Sequence, residues 1–216
     1  MDAASKRILL IGAGALLAVL AASFSLYWFY EGRVSAESEL PKIGTLPSFS
    51  WTAADGTTVS SETLRGKVWF GYFFFSTCPG VCIPMTQEVK RMQSAVRDIP
   101  NACVVGITCD PEVDTPEVLA KYGKSHELDP TLVHLVRDEY ESVQRFAVKT
   151  LHLGLEKASD EERKKGADKV YHSVRFFLID AKGCLRGYYN GLEADETQKL
   201  LRDMARLAKS GSKESG

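Results

Sequence analysis

Hydrophobic and polar positions divide this chain into two very different parts. From Ile8 to Tyr30 the run ILLIGAGALLAVLAASFSLYWFY contains no charged residue. As a helix rising about 1.5 Å per residue it reaches roughly 34 Å, enough for a hydrocarbon core of about 30 Å. Lys6 and Arg7 precede it, and Tyr27, Trp28, Phe29 and Tyr30 form an aromatic cluster at its far end. This pattern predicts a single-pass membrane anchor over 8–30, with residues 1–7 cytoplasmic and the remainder on the exported, periplasmic-type side. A cleaved signal peptide is the alternative, with Ala21-Ala22-Ser23 as a tolerable cleavage site. Signal h-regions, however, run about 7–15 residues and lack a terminal aromatic cluster, which favours the anchor.

After a polar, aperiodic linker (31–46), strand and helix patterns alternate over a domain expected to span 47–208. Phe49–Thr52 and Thr57–Ser60, joined by Ala54-Asp55-Gly56, read as a hairpin. Val68–Phe75 (VWFGYFFF) is apolar at every position, as in a central strand covered on both faces. In Pro84–Ile99 the apolar residues Met85, Val89, Met92, Val96 and Ile99 fall on one helical face. Ala102–Thr108 reads as a second buried strand, and Thr115–Lys124 as a helix with Thr115 as N-cap and Pro116 in its first turn. Leu132–Val136 and Glu139–Val148 follow as strand and helix. A charged stretch, Glu156–Lys169, then reads as a solvated loop or short helix. Val174–Asp180 and Leu185–Asn190 make a second hairpin, and Leu200, Leu201, Met204 and Leu207 mark a last helix before a flexible tail, 209–216. A βαβ unit leading to a β-hairpin and a terminal helix matches an α/β, thioredoxin-like sandwich with an N-terminal β-hairpin.

Composition narrows the functional classes. The 216 residues carry 27 Lys+Arg and 28 Asp+Glu, a net charge of −1, which gives no general electrostatic reason to bind nucleic acid. With 44% apolar and 25% charged residues the chain is an ordinary globular one, and its chemistry must come from a local site.

That site is marked by Ser76-Thr77-Cys78-Pro79-Gly80-Val81-Cys82-Ile83-Pro84, between the strongest strand and the strongest helix. Ligands gather at this edge of such sheets, and a helix N-terminus favours thiolate over thiol. Two sulfurs with three residues between them can converge on a soft metal ion or form a disulfide. Their plain alternative is a pair of buried small hydrophobes. Of the four histidines, His134 lies within a strand pattern, His126 ends a helix and His152 opens the long insertion. His172 stands just before strand Val174–Asp180, and in a thioredoxin-like sheet that loop shares a rim with the Cys turn. It is therefore the expected partner of Cys78 and Cys82.

The strings FSTCPGVCIPMT, GITCDPEVDTPEVLAKY and YHSVRFFLIDAKGCLRGYY together resemble the Sco/SenC family, membrane-tethered thioredoxin-like copper proteins that assist cytochrome c oxidase assembly. The resemblance covers roughly residues 45–208. It implies copper, Cu(I) or Cu(II), held by Cys78, Cys82 and His172 and passed to a copper-accepting respiratory oxidase subunit. Two thiolates suit Cu(I), and one imidazole beside them makes Cu(II) tolerable. Zinc in a closed structural site would want a fourth ligand. The chain departs from the family at Gly80 and Tyr171, where acids are common, and at Ile83, where proline is common. The alternative function is a thiol–disulfide oxidoreductase reducing acceptor cysteines, with Cys78 as nucleophile and Cys82 resolving; a peroxidase is a third. Asp114 fits the family's DPxxD position, although capping of the following helix accounts for it equally. Cys109 is expected to be a buried strand residue, with a redox helper as its alternative; Cys103 is expected in the core, and Cys184 after the hairpin turn.

Overall fold

In the computed structural model, which describes residues 3–35, 40–164 and 169–213, the chain divides into two compact units, Met1–Glu39 and Leu40–Gly216. The first unit holds one helix, α1 (Ala3–Ser35), which contains the expected anchor segment. The side chains of 8–11 and 29–30 lie outside the described residues, and those of 12–28 are exposed. Among the described residues, no helix is long and apolar enough to cross a membrane.

The second unit is built on a mixed eight-stranded sheet. In chain order its strands are β1 (Gly44–Thr45), β2 (Ser50–Ala53), β3 (Thr58–Ser60), β4 (Val68–Phe74), β5 (Ala102–Thr108), β6 (Val133–Arg137), β9 (Arg175–Ile179) and β10 (Cys184–Asn190). Their spatial order is β1-β10-β9-β4-β5-β6-β2-β3. β4, β5 and β6 run parallel, while β9 lies antiparallel on the other side of β4. A separate two-stranded sheet pairs β7 (Leu155–Lys157) with β8 (Val170–His172). The helices of this unit are α2 (Cys82–Arg97), α3 (Pro116–Ser125), α4 (Tyr140–Arg145), α5 (Asp160–Lys164) and α6 (Ala194–Lys213).

Every residue of β4 is buried, and the two-residue side-chain period sends its aromatics to both faces. Trp69 and Phe73 meet Phe177, while Phe70 and Tyr72 meet Phe176 and Phe74 stacks on Tyr122. The helices α2 and α6 pack on each other and on the sheet, and α3 covers β6. β4 thus occupies the middle of the core, and its carboxyl end delivers the Cys turn.

Several expectations shift. The expected linker is not wholly a tether: α1 continues to Ser35, 36–39 lie outside the described residues, and Gly44–Thr45 pair with Thr45↔Cys184 and Gly44↔Leu185. The open edge of β10 supplies the reason, since Ile43 N–H donates to the Leu185 carbonyl and Leu46 N–H to that of Gly183, at 2.9 Å each. Arg186 adds hydrogen bonds to the carbonyls of Leu40 and Pro41. The helix expected over Glu139–Val148 changes to π-type at Phe146–Thr150, where the Phe146 ring packs edge-on against Trp51 and Phe49. α5 lies within the charged stretch, of which 165–168 fall outside the described residues. In the expected tail, α6 runs to Lys213, and 214–216 also fall outside them.

Candidate metal centre

The two thiols are fixed from both ends of their turn. β4 ends at Phe74, Cys78 N–H donates to the Phe75 carbonyl at 3.2 Å, and Cys82 is the first residue of α2. Among the described residues no side chain caps α2, and Cys82 stands in its first turn, where helix N-termini carry partial positive charge. Cys78 and Cys82 are 5% and 1% exposed.

His172 reaches the same place from far along the chain. It ends β8, opposite Leu155 of β7, and its ring lies edge-on to Phe75 with centroids 6.0 Å apart. Its Nδ1 is 3.1 Å from the Ser173 carbonyl oxygen, which can only accept. In the neutral ring the proton therefore sits on Nδ1, and the Nε2 lone pair faces Cys82 Sγ at 3.1 Å. One donor atom from each of Cys78, Cys82 and His172 lies within 4.8 Å of the others, and among the described residues this is the one such group of three. Soft sulfurs and an oriented imidazole nitrogen could hold a late transition-metal ion.

The sequence-predicted trio is thus brought together, and the other histidines are elsewhere. The His126 ring lies 4.3 Å from that of Tyr122, tilted by 48°, and burial lowers its pKa. His134 is half-buried on β6, also lowered by burial, and His152 takes a left-handed backbone, φ +52°. Cys109 is fully buried and its N–H donates to the Phe74 carbonyl at 2.7 Å. Burial pushes its thiol well above the usual range, with Cys82 and Asp114 nearby adding to the effect. Cys103 is core, pushed by burial up to about 11. Cys184 is half-buried, its Sγ 3.8 Å from Thr45 Oγ1.

Asp114 does not cap α3; Thr115 does, its hydroxyl accepting from Val118 N–H. The fully buried Asp114 carboxylate instead accepts from Ser76 N–H at 3.1 Å, and from the hydroxyls of Ser76 and Thr108. It fastens the entry of the Cys turn to the end of β5. The DPEVD string contained this residue, but only tertiary contact reveals its partner. The three positions at which the sequence departs from the family pattern are exposed and uncharged: Gly80, Ile83 at 41% and Tyr171 at 46%.

A thioredoxin-like sheet with a dithiol turn at the N-terminus of its first core helix, and an imidazole facing the pair, defines a class of thiol-based metal or redox proteins. The SCO1/SenC family model matches residues 37–209, so the chain belongs to that family. A relative from Stutzerimonas stutzeri, named for copper binding, is 29% identical over 165 residues, covering 75% of this chain and 78% of its own. The crystal structure of a SCO1/SenC family lipoprotein from Bacillus anthracis is similar at a TM-score of 0.68 with 28% identity, over 76% of this chain and 95% of that one. BsSco, a member of the Sco family of cytochrome c oxidase assembly proteins in which a disulfide switch was identified, is similar at 0.65 with 25% identity, over 79% and 99% of the two chains.

Proposed function

We propose that this protein is a copper carrier that holds the ion through Cys78, Cys82 and His172 and passes it by ligand exchange to an exported acceptor, such as the copper site of cytochrome c oxidase. The segment 8–30 anchors it, with the domain on the periplasmic side. The observation that carries this reading is the convergence of two sulfurs and one oriented imidazole nitrogen within 4.8 Å. Thiolates favour Cu(I), and the imidazole extends the site to Cu(II). A three-donor site at a rim leaves the ion a free face for an incoming ligand, which suits transfer. The family membership and the relative named for copper binding support the choice of metal.

The test is Cu(II) titration of the full chain in detergent, followed by optical absorption. Thiolate-to-copper charge-transfer bands should saturate near one equivalent, vanish in the double variant Cys78→Ala/Cys82→Ala, and be lost or shifted in His172→Ala. Stoichiometric binding that survives removal of both cysteines would overturn the reading.

A second reading is favoured by the two thiols of one turn, Cys78 and Cys82, whose sulfurs lie within 4.8 Å of each other and could be joined by a disulfide. As a thiol–disulfide oxidoreductase, Cys78 attacks an acceptor disulfide and Cys82 resolves the mixed disulfide. The acceptor gains two thiols, and this chain is left with the Cys78–Cys82 disulfide. His172→Ala separates the two, because a reductase keeps most of its exchange without the imidazole.

A further inference from the structure

The two halves of the site are held by different parts of the fold. The thiols belong to the β4–α2 junction in the main sheet, whereas His172 sits on the β7–β8 sheet, which among the described residues shares no ladder with it. The position of the imidazole therefore depends on how that small hairpin is seated. Leu155 and Val170 are buried beneath it. The Ala158 N–H donates to the Lys169 carbonyl at 3.0 Å, extending the ladder by one rung toward the ionic contacts. Lys169 Nζ lies 2.7 and 2.8 Å from the two carboxylate oxygens of Asp110, which is 2% exposed. Lys157 Nζ lies 3.2 Å from Glu112 and 4.3 Å above the Tyr140 ring.

These acceptors come from one loop. Asp110, Glu112 and Asp114 alternate in Asp110-Pro111-Glu112-Val113-Asp114, and the loop is closed by Val113 and Asp114 N–H groups donating to the Asp110 carbonyl at 3.1 and 2.9 Å. Asp114 grips Ser76 at the entry of the Cys turn, while Asp110 and Glu112 grip the hairpin that carries the imidazole. We infer that the β5–α3 loop is the common base of the site, and that Lys169 and Asp110 are positioning residues for His172. This rests on the three-donor reading of the site. Buried on the carboxylate side, the pair is little screened by water, and removal of the Lys169 charge leaves a buried carboxylate without its counter-ion. The hairpin then loses its main ionic tie to the loop, and the imidazole its fixed distance from the sulfurs.

The test uses full-length Lys169→Met, Lys169→Arg and His172→Ala, each titrated separately with Cu(II) and with Cu(I) in competition with a chelator. Partners that orient a metal ligand are worth about 10–100-fold in affinity. Lys169→Met should therefore weaken Cu(II) binding by about 10-fold or more and move its charge-transfer bands toward those of His172→Ala. Cu(I), held by the two thiolates, should change by less than about 3-fold. Lys169→Arg, which keeps the charge and can bind Asp110 in bidentate fashion, should bind Cu(II) like the wild type. Wild-type Cu(II) binding in Lys169→Met, equal losses of Cu(I) and Cu(II) affinity, or identical behaviour of the Met and Arg variants would each overturn the inference. If wild type and His172→Ala bind Cu(II) alike, the three-donor reading itself fails and takes the inference with it.

Discussion

Asp114→Ala separates two roles for a residue that sequence alone leaves open. As a helix cap its loss would cost about 1 kcal/mol. As the buried acceptor of Ser76 N–H and of the Ser76 and Thr108 hydroxyls, it makes three charge-assisted hydrogen bonds, each worth about 1.5–3 kcal/mol. Ser76 is half-buried, so its two donors can recover water once the carboxylate is gone. Thr108 is fully buried, but its hydroxyl keeps its role as acceptor from Asp110 N–H at 3.1 Å. Discounting for these, the loss comes to about 3–4 kcal/mol. For a domain of this size each kcal/mol moves Tm by about 2–4 °C, so the melting point should fall by about 6–16 °C. The assay is differential scanning calorimetry of the metal-free, reduced protein at neutral pH, with Thr115→Ala as the capping control at about 2–4 °C. Equal, small shifts in the two variants would refute the assignment of Asp114 to the Cys turn.

Two further predictions bear on the core. An alanine at Gly71 would place its Cβ 2.3 Å from Cζ and 2.5 Å from Cε2 of the fully buried Phe177 ring. Gly71→Ala should therefore cost about 1–3 kcal/mol by overpacking, read as a lower denaturation midpoint in urea with unchanged slope; an unchanged midpoint would show that the ring has room to move. Burial raises the Cys103 thiol to about 11 and that of Cys109 well above its usual value, so almost none of either is thiolate at pH 8. Mass-spectrometric mapping of brief iodoacetamide labelling should find half-buried Cys184 modified and Cys103 and Cys109 modified only after denaturation; native-state labelling of Cys109 would contradict its burial.

The sequence by itself determined the central strand, the helix after the Cys turn and the capped α3. Each is encoded locally: an uninterrupted apolar run in Val68–Phe74, a 3.6-residue period in Met85–Val96, and Thr115-Pro116 at a helix start. It also brought forward Cys78, Cys82 and His172 as candidate donors, the thiols by their residue type and spacing at a strand end, and the histidine by the rim that the expected topology gives it. Tertiary structure alone decided what holds those donors in place. β7 and β8 are three residues each, the first overlapping the start of the charged stretch and the second following its end, too short for a periodic signal, so the hairpin that carries His172 is invisible until its backbone pairs. The same is true of β1, whose two residues become a strand only because β10 offers an open edge. Carboxylates such as Asp110 and Asp114 are the clearest case. A buried ion needs a partner, but the partner lies 59 residues away for Asp110 and 38 for Asp114, and no local pattern links residues that only the fold makes neighbours.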